Sequence, residues 1–306
     1  PENPNQYYNN FYGIGNITSP LENLSRGKFN KNRENRLLAS GNALITFTEN
    51  LNFKTALTLD RRNGLNTTFL DPITSAWGRS QFGTASDARN MNTLIVWDNT
   101  LNYTQQYDKH NVDFMVGNSW TDSKYTNSYI SGSHFRNELI QTLNAANKIS
   151  WNGTGSGASD WAIMSYFARA MYNYDSKYLL TVNMRADGSS KLSPSNRWGY
   201  FPSLSAAWRL SSESFMEDQT WVDDLKIRGG WGQTGNQSGL GDYAYLQLYN
   251  IERFQWFQVG FENAVPNISP SNLRTKDLRW ETTTQSNLGI DFVGLNNRLS
   301  VTLDYY

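Results

Sequence analysis

Side chains that change character at every second residue constrain this sequence more than any other feature. Over 51–60, Leu51, Phe53, Thr55, Leu57 and Leu59 share one parity, and Asn52, Lys54, Ala56, Thr58 and Asp60 the other. Leu299, Val301, Leu303 and Tyr305 alternate with Arg298, Ser300, Thr302 and Asp304. Tyr178, Leu180, Val182 and Met184 alternate with Leu179, Thr181, Asn183 and Arg185. The segment 280–292 puts Trp280, Leu288, Ile290 and Phe292 opposite Glu281, Gln285, Asn287 and Asp291. A strand sends successive side chains to opposite faces, whereas a helix would scatter either set around its circumference.

Weaker instances bring the expected strands to about ten: 42–49, 51–60, 93–106, 111–120, 163–174, 178–188, 198–210, 225–233, 280–292 and 298–306. Their usual length, near ten residues, suits a strand crossing a bilayer at a tilt better than the shorter strand of soluble proteins. The connections also sort by length. Short turns are expected at Glu49-Asn50, Asp108-Lys109-His110, Asp175-Ser176-Lys177 and Leu295-Asn296-Asn297, and long polar loops at 61–92, 121–162 and 234–279. Short and long alternate along the chain, so each kind gathers at one end of the strands. The connections 189–197 and 211–224 blur the rule without reversing it. Short periplasmic turns opposite long extracellular loops are the pattern of an outer-membrane barrel. The expected fold is therefore all-β, an antiparallel transmembrane β-barrel, with 1–306 part of one barrel domain. Tyr172, Tyr174 and Tyr178 flank a short turn, where an interfacial aromatic girdle would fall.

Composition narrows function by exclusion. Twenty-seven basic and 27 acidic residues cancel, so no basic face is available for nucleic acid. With no Cys, thiol catalysis, Cys-ligated metals and disulfides are ruled out. No run of 18 apolar residues offers a transmembrane helix. A mean hydropathy of −0.62 is compatible with a membrane barrel, whose strands show only one face to lipid. Pro1-Glu2-Asn3-Pro4 carries no basic-then-apolar pattern, so no signal peptide is expected within this sequence.

Chemistry-bearing residues are sparse. His110 and His134 sit in a short turn and a long loop, without a zinc-protease motif or a nearby nucleophile, and read as solvated. Asp223-Asp224 lacks EF-hand spacing and reads as a turn. Gly153-Thr154-Gly155-Ser156-Gly157 lacks the lysine of a nucleotide loop and reads as flexible outer loop. Asp187-Gly188-Ser189-Ser190 reads as a turn with a glycine free to take positive φ. No catalytic residue, metal site or cofactor is expected. Aromatics in the long connections, Trp151, Trp161, Phe254, Trp256 and Phe257, are the candidate substrate or partner contacts, since exposed rings can stack on sugars or dock a lid protein.

An ordered set of short segments resembles the SusC/RagA-type TonB-dependent outer-membrane transporters. It runs through Trp97-Asp98-Asn99-Thr100-Leu101-Asn102-Tyr103, Lys109-His110-Asn111, Lys177-Tyr178-Leu179-Leu180-Thr181 and Arg185-Ala186-Asp187-Gly188-Ser189-Ser190. Next come Asn196-Arg197-Trp198-Gly199-Tyr200-Phe201-Pro202-Ser203, Ala206-Ala207-Trp208-Arg209 and Leu225-Lys226-Ile227-Arg228. Gly232-Gln233-Thr234-Gly235-Asn236, Leu278-Arg279-Trp280-Glu281, Asn287-Leu288-Gly289-Ile290-Asp291 and Asp304-Tyr305-Tyr306 complete it. The resemblance covers most of 42–306. It implies a barrel of about 22 strands closed around a plug. On that basis about ten strands are expected here, with the plug, its TonB-contacting segment and the remaining strands absent; since an open half-barrel would leave unpaired edges in lipid, the sequence is expected to be a piece of a longer chain.

The implied activity is TonB-dependent import of a nutrient, glycan or peptide, across the bacterial outer membrane. The implied partners are a SusD-like surface lipoprotein, TonB through the plug, and outer-membrane lipid. Two other readings stay open on the residues alone: a passive porin, and a secreted carbohydrate-binding β-protein or glycosidase, which would need a cleft with paired carboxylates.

Overall fold

A computed structural model describes residues 30–72, 78, 80–137, 139–150, 152–258 and 264–306, with side chains described outside 252–267. Strands in chain order are β1 (Lys31–Thr46), β2 (Leu51–Leu70), β3 (Thr84–Tyr107), β4 (His110–Phe135), β5 (Ala146–Ile149), β6 (Gly155–Tyr174) and β7 (Tyr178–Ser189). They continue with β8 (Trp198–Arg209), β9 (Val222–Asn236), β10 (Tyr249–Gln258), β11 (Ala264–Pro270), β12 (Glu281–Gly294) and β13 (Leu299–Tyr305). One antiparallel sheet runs β1-β2-β3-β4-β6-β7-β8-β9-β12-β13, with β5 paired to β4; β10 and β11 form a separate hairpin. No described helix is long and apolar enough to cross a membrane.

The long connections are shorter than expected, because strands extend into them. β2 continues to Leu70 and β3 starts at Thr84, so much of 61–92 is sheet. β4 runs to Phe135 and β6 starts at Gly155, which leaves Trp161 and Gly155-Ser156-Gly157 in a strand and not in a loop. The stretch 234–279 likewise contains β10 and β11. Backbone pairing needs no lipid-facing row, so where neither face meets lipid a strand continues without the alternation that marks it in sequence. Conversely, β1 stops at Thr46, short of the expected 49.

Tight turns close the other end. Asp175 and Ser176 take φ 52° and 56°, and Lys177 N–H donates to Tyr174 O at 2.9 Å. Two consecutive positive φ values in this three-residue loop match the right-handed twist of the strands it joins. Leu295, Asn296 and Asn297 are all left-handed, with the Asn297 N–H donating to Asp223 Oδ2 at 2.8 Å. Asp223 therefore stabilises a turn, while its neighbour Asp224 pairs with Arg209.

The chain divides into two compact units. In the first (Pro1–Ala39, Thr58–Ile95, Ser123–Asp160), Phe69, Ala85 and Phe135 form a small core, with the two rings edge-to-face at 5.2 Å. The second (Ser40–Leu57, Val96–Asp122, Trp161–Tyr306) is two-faced sheet. Register places Leu180 beside Ala206, Val182 beside Leu204, Leu204 beside Trp231, and Ile290 beside Leu303. Leu180, Val182, Met184 and Leu204 on this face are 41–46% exposed. An apolar face this continuous belongs against hydrocarbon.

Aromatic rings bound that face. At the turn end His110 lies 4.8 Å from Tyr174, Tyr174 lies 6.3 Å from Tyr178, and Tyr178 lies 6.3 Å from Trp208. His110 also hydrogen-bonds the Tyr172 hydroxyl at 2.7 Å, so it belongs to the aromatic row and is not merely solvated. At the far end Tyr166 stacks on Trp198 at 6.0 Å. Tyr178 and Gly188, the partner of Trp198, are about ten residues apart, or roughly 33 Å of strand. A tilt near 40° reduces this to about 25 Å, the height of an outer-membrane apolar band. Trp280 departs from its expected parity. It precedes β12 and packs edge-to-face on Phe201 at 5.5 Å, donating to Arg197 O.

Candidate lumenal wall and loop surface

On the opposite face of the second unit, register assembles polar rows across the strands. Arg169, Asn183, Ser203, Gly232 and Gln285 follow one another through direct pairs from β6 to β12. Met171, Thr181, Ser205, Gly230 and Asn287 form the adjacent row. A recess of about 340 Å³ opens over Ser203, Ser205, Gly230, Gly232, Gln285 and Asn287. Its floor is low because two glycines occupy it, and its rim supplies amides and hydroxyls.

Ion pairs flank these rows. Arg185 Nε donates to both Asp187 oxygens at 2.8 Å, and its Nη2 donates to Ser165 at 2.9 Å. Toward the turns, Arg209 pairs with Asp224 at 2.8 Å and Lys226 with Asp291 at 3.0 Å. Arg228 bridges Asp291 and Asp304 at 3.2 and 2.7 Å. Charge compensated inside the wall makes a polar surface without a strong net field. These pairs are the functional-face residues that sequence reasoning missed. The shared parity of Lys226 and Arg228 is visible in the sequence, but strand register is needed to match each cation to its anion.

The Asp187-Gly188-Ser189-Ser190 signature is not a positive-φ turn. Asp187 through Ser189 lie in β7, Asp187 and Ser189 are buried, and a Cβ on Gly188 would sit 2.9 Å from the Trp198 indole. Glycine is required there for close approach of the ring. Ser189 hydrogen-bonds Gln237, and Ser193 Oγ donates to Leu278 O at 3.2 Å. Lys191 pairs with Asp242 at 2.9 Å and donates to Leu240 O at 3.2 Å. Together these contacts fasten both ends of the β9–β12 connection to the β7–β8 connection.

Of the five candidate aromatics, Trp161 alone has a described side chain. It stands near the start of β6, partly buried, with Lys191 Nζ 5.3 Å from its ring centroid. Trp151 lies outside the described residues. Phe254, Trp256 and Phe257 lie on β10, with Trp256 opposite Pro266 and Phe257 opposite Val265, and their side chains are outside those described. The structure thus brings three of the five onto one hairpin, while Trp161 stands on β6. His134 hydrogen-bonds Ser133 and lies 5.2 Å from Phe82. Among the described residues no three His, Asp or Glu side chains are grouped to hold a metal ion.

Comparison with known proteins gives the wall its context. Residues 1–306 match the family described as TonB dependent receptor-like, beta-barrel. The TonB-dependent receptor P39 of Formosa agariphila is 36% identical over 230 residues, 75% of this chain and 21% of its own length. The TonB-dependent receptor SusC of Bacteroides thetaiotaomicron is 32% identical over 251 residues, 79% of this chain and 23% of its own. The chain thus spans less than a quarter of either relative. A solved structure of the RagAB peptide transporter superposes with a TM-score of 0.83 at 22% identity, covering 98% of this chain and 32% of that one, which speaks for the fold.

Proposed function

We propose, for a chain that belongs to the TonB dependent receptor-like β-barrel family and lies in the bacterial outer membrane, that it forms part of the wall of a nutrient importer. The observation that carries the reading is the two-faced sheet. Leu180, Val182 and Leu303 stand on one face, while Asn183, Arg185 and Asp291 stand on the other. A wall with hydrocarbon on one side and amides, hydroxyls and compensated charge on the other suits passage of a polar solute. The chain is part of one barrel domain, carries no catalytic residue, and works with a SusD-like lipoprotein outside and with TonB acting through a plug. The cargo in this reading is a glycan or peptide, as the resemblance implies; a structure of similar fold is titled a peptide transporter.

In this reading, the hairpin of β10 and β11, within 234–279, and the outer ends of β4 and β6 with the chain between them, 121–162, face partner and cargo, with Trp151, Trp161, Phe254, Trp256 and Phe257 as contacts. Ordering long outer segments costs backbone entropy that some contact must offset. A paired deletion in the whole protein tests this. Removing 253–258 is expected to weaken lipoprotein co-purification or nutrient uptake while the barrel still inserts and stays heat-resistant. Altering 295–297 is expected to impair assembly instead. Normal co-purification and uptake after both outer segments are trimmed would refute the assignment.

A further inference from the structure

Among the described residues of the second unit, four cations of the polar wall are matched by acids and Arg169 is not. Arg185, Arg209, Lys226 and Arg228 each hold a carboxylate of a neighbouring residue, although Arg185 and Arg209 are 48% and 43% exposed and had water available. Arg169 stands on the same face, directly opposite Asn183, and reaches only the Met115 sulfur, at 4.0 Å. Its Nε is buried without an acceptor. No member of its row, Asn183, Ser203, Gly232 or Gln285, is acidic, and the Asp187 carboxylate is already taken by Arg185. Four residues along the same face of β6, Asn173 Oδ1 is also buried without a donor.

A guanidinium presents five N–H donors, and burying one unmet is costly enough that such groups normally have a partner. Here the wall withholds it. We propose that Arg169 is the docking point for a carboxylate that comes from outside the described wall, with Asn173 accepting an N–H about 13 Å farther along the strand. A chain bearing both groups meets that spacing when extended. The carboxylate belongs either to a solute in the lumen or to a protein segment lodged there. The proposal goes beyond import: it requires only that this face be lumenal.

The test uses the whole protein, purified in detergent, as wild type, Arg169→Gln and Arg169→Lys. Calorimetric titration with hexaglutamate, and with hexaglutamine as control, probes the solute source. Thermal unfolding of the ligand-free proteins probes the protein source. For a solute, hexaglutamate binds, hexaglutamine does not, Arg169→Gln weakens binding about tenfold, Arg169→Lys retains most of it, and salt weakens it further. For a protein segment, hexaglutamate does not bind, but Arg169→Gln melts lower than wild type while Arg169→Lys does not. Binding that Arg169→Gln leaves unchanged overturns the proposal. So does equal loss in both variants, or absent binding combined with unchanged melting. Uptake is not measured, so a failure of the import reading leaves this result standing.

Discussion

The Tyr178 hydroxyl and the Trp208 indole N–H donate to the same oxygen, Glu213 Oε1, at 2.7 and 3.0 Å, while their rings stack with planes 16° apart. Two strands and the connection after them are thereby joined at the turn end of the apolar face. An interfacial ring suits this use, since its body lies against apolar groups while its polar atom reaches water or a charge.

This junction predicts a pH dependence. The Tyr178 hydroxyl, then the Trp208 N–H and the nearby Lys177, hold the Glu213 carboxyl below its ordinary range. The folded state therefore binds this proton less readily than the unfolded state, and stability rises with pH across the interval between the two values. The contribution is complete above the ordinary glutamate value of about 4.3 and is lost as pH falls toward the folded one. In heat-unfolding scans from about pH 7 to about pH 3, Glu213→Gln is expected to show a shallower fall than wild type. An identical slope would show that the junction is not formed.

The face assignment predicts an asymmetry between neighbours in sequence. Val182 stands between Ala170 and Leu204 on the apolar face, and Thr181 beside Ser205 on the polar one. Val182→Arg is expected to cost about 2–4 kcal/mol near mid-bilayer, and Thr181→Arg far less. Folding of the whole protein into phospholipid vesicles, followed by gel mobility, measures both. A larger loss for Thr181→Arg would reverse the faces.

Gly235 lies under the Phe201 ring, which in turn packs on Trp280. A methyl group at 235 displaces a ring that is only 7% exposed. Gly235→Ala is expected to cost about 1–3 kcal/mol by urea unfolding, as overpacking does. At Gly239 an added Cβ would meet nothing within 4 Å, so Gly239→Ala serves as the neutral control.

Leu295 holds φ 58° while its side chain is 52% exposed. Branched side chains pay to enter the left-handed region, and little packing offsets it here. Leu295→Gly is expected to stabilise the β12–β13 turn by up to about 1 kcal/mol in the same urea assay. A destabilised variant would mean that the side chain is held by contacts the turn geometry does not reveal.

Sequence alone determined the alternation, and with it the fold class and the membrane face. A lipid-facing row must be apolar at every second residue, so the pattern over 178–184 and 299–305 states its own structure. The turn sites were legible for a similar reason: Asp175, Asn296 and Asn297 are residue types that tolerate left-handed backbone. Where neither face meets lipid, no apolar row need repeat, so the outer parts of β2, β3, β4 and β6 read as loop. Tertiary structure alone decided which residues meet. Lys226 and Asp291 are far apart in the chain, and only the antiparallel register of β9 and β12 sets them side by side. The same register leaves Arg169 beside Asn183, unmatched by any acid among the described residues, because pairing is a property of two strands and alternation of one.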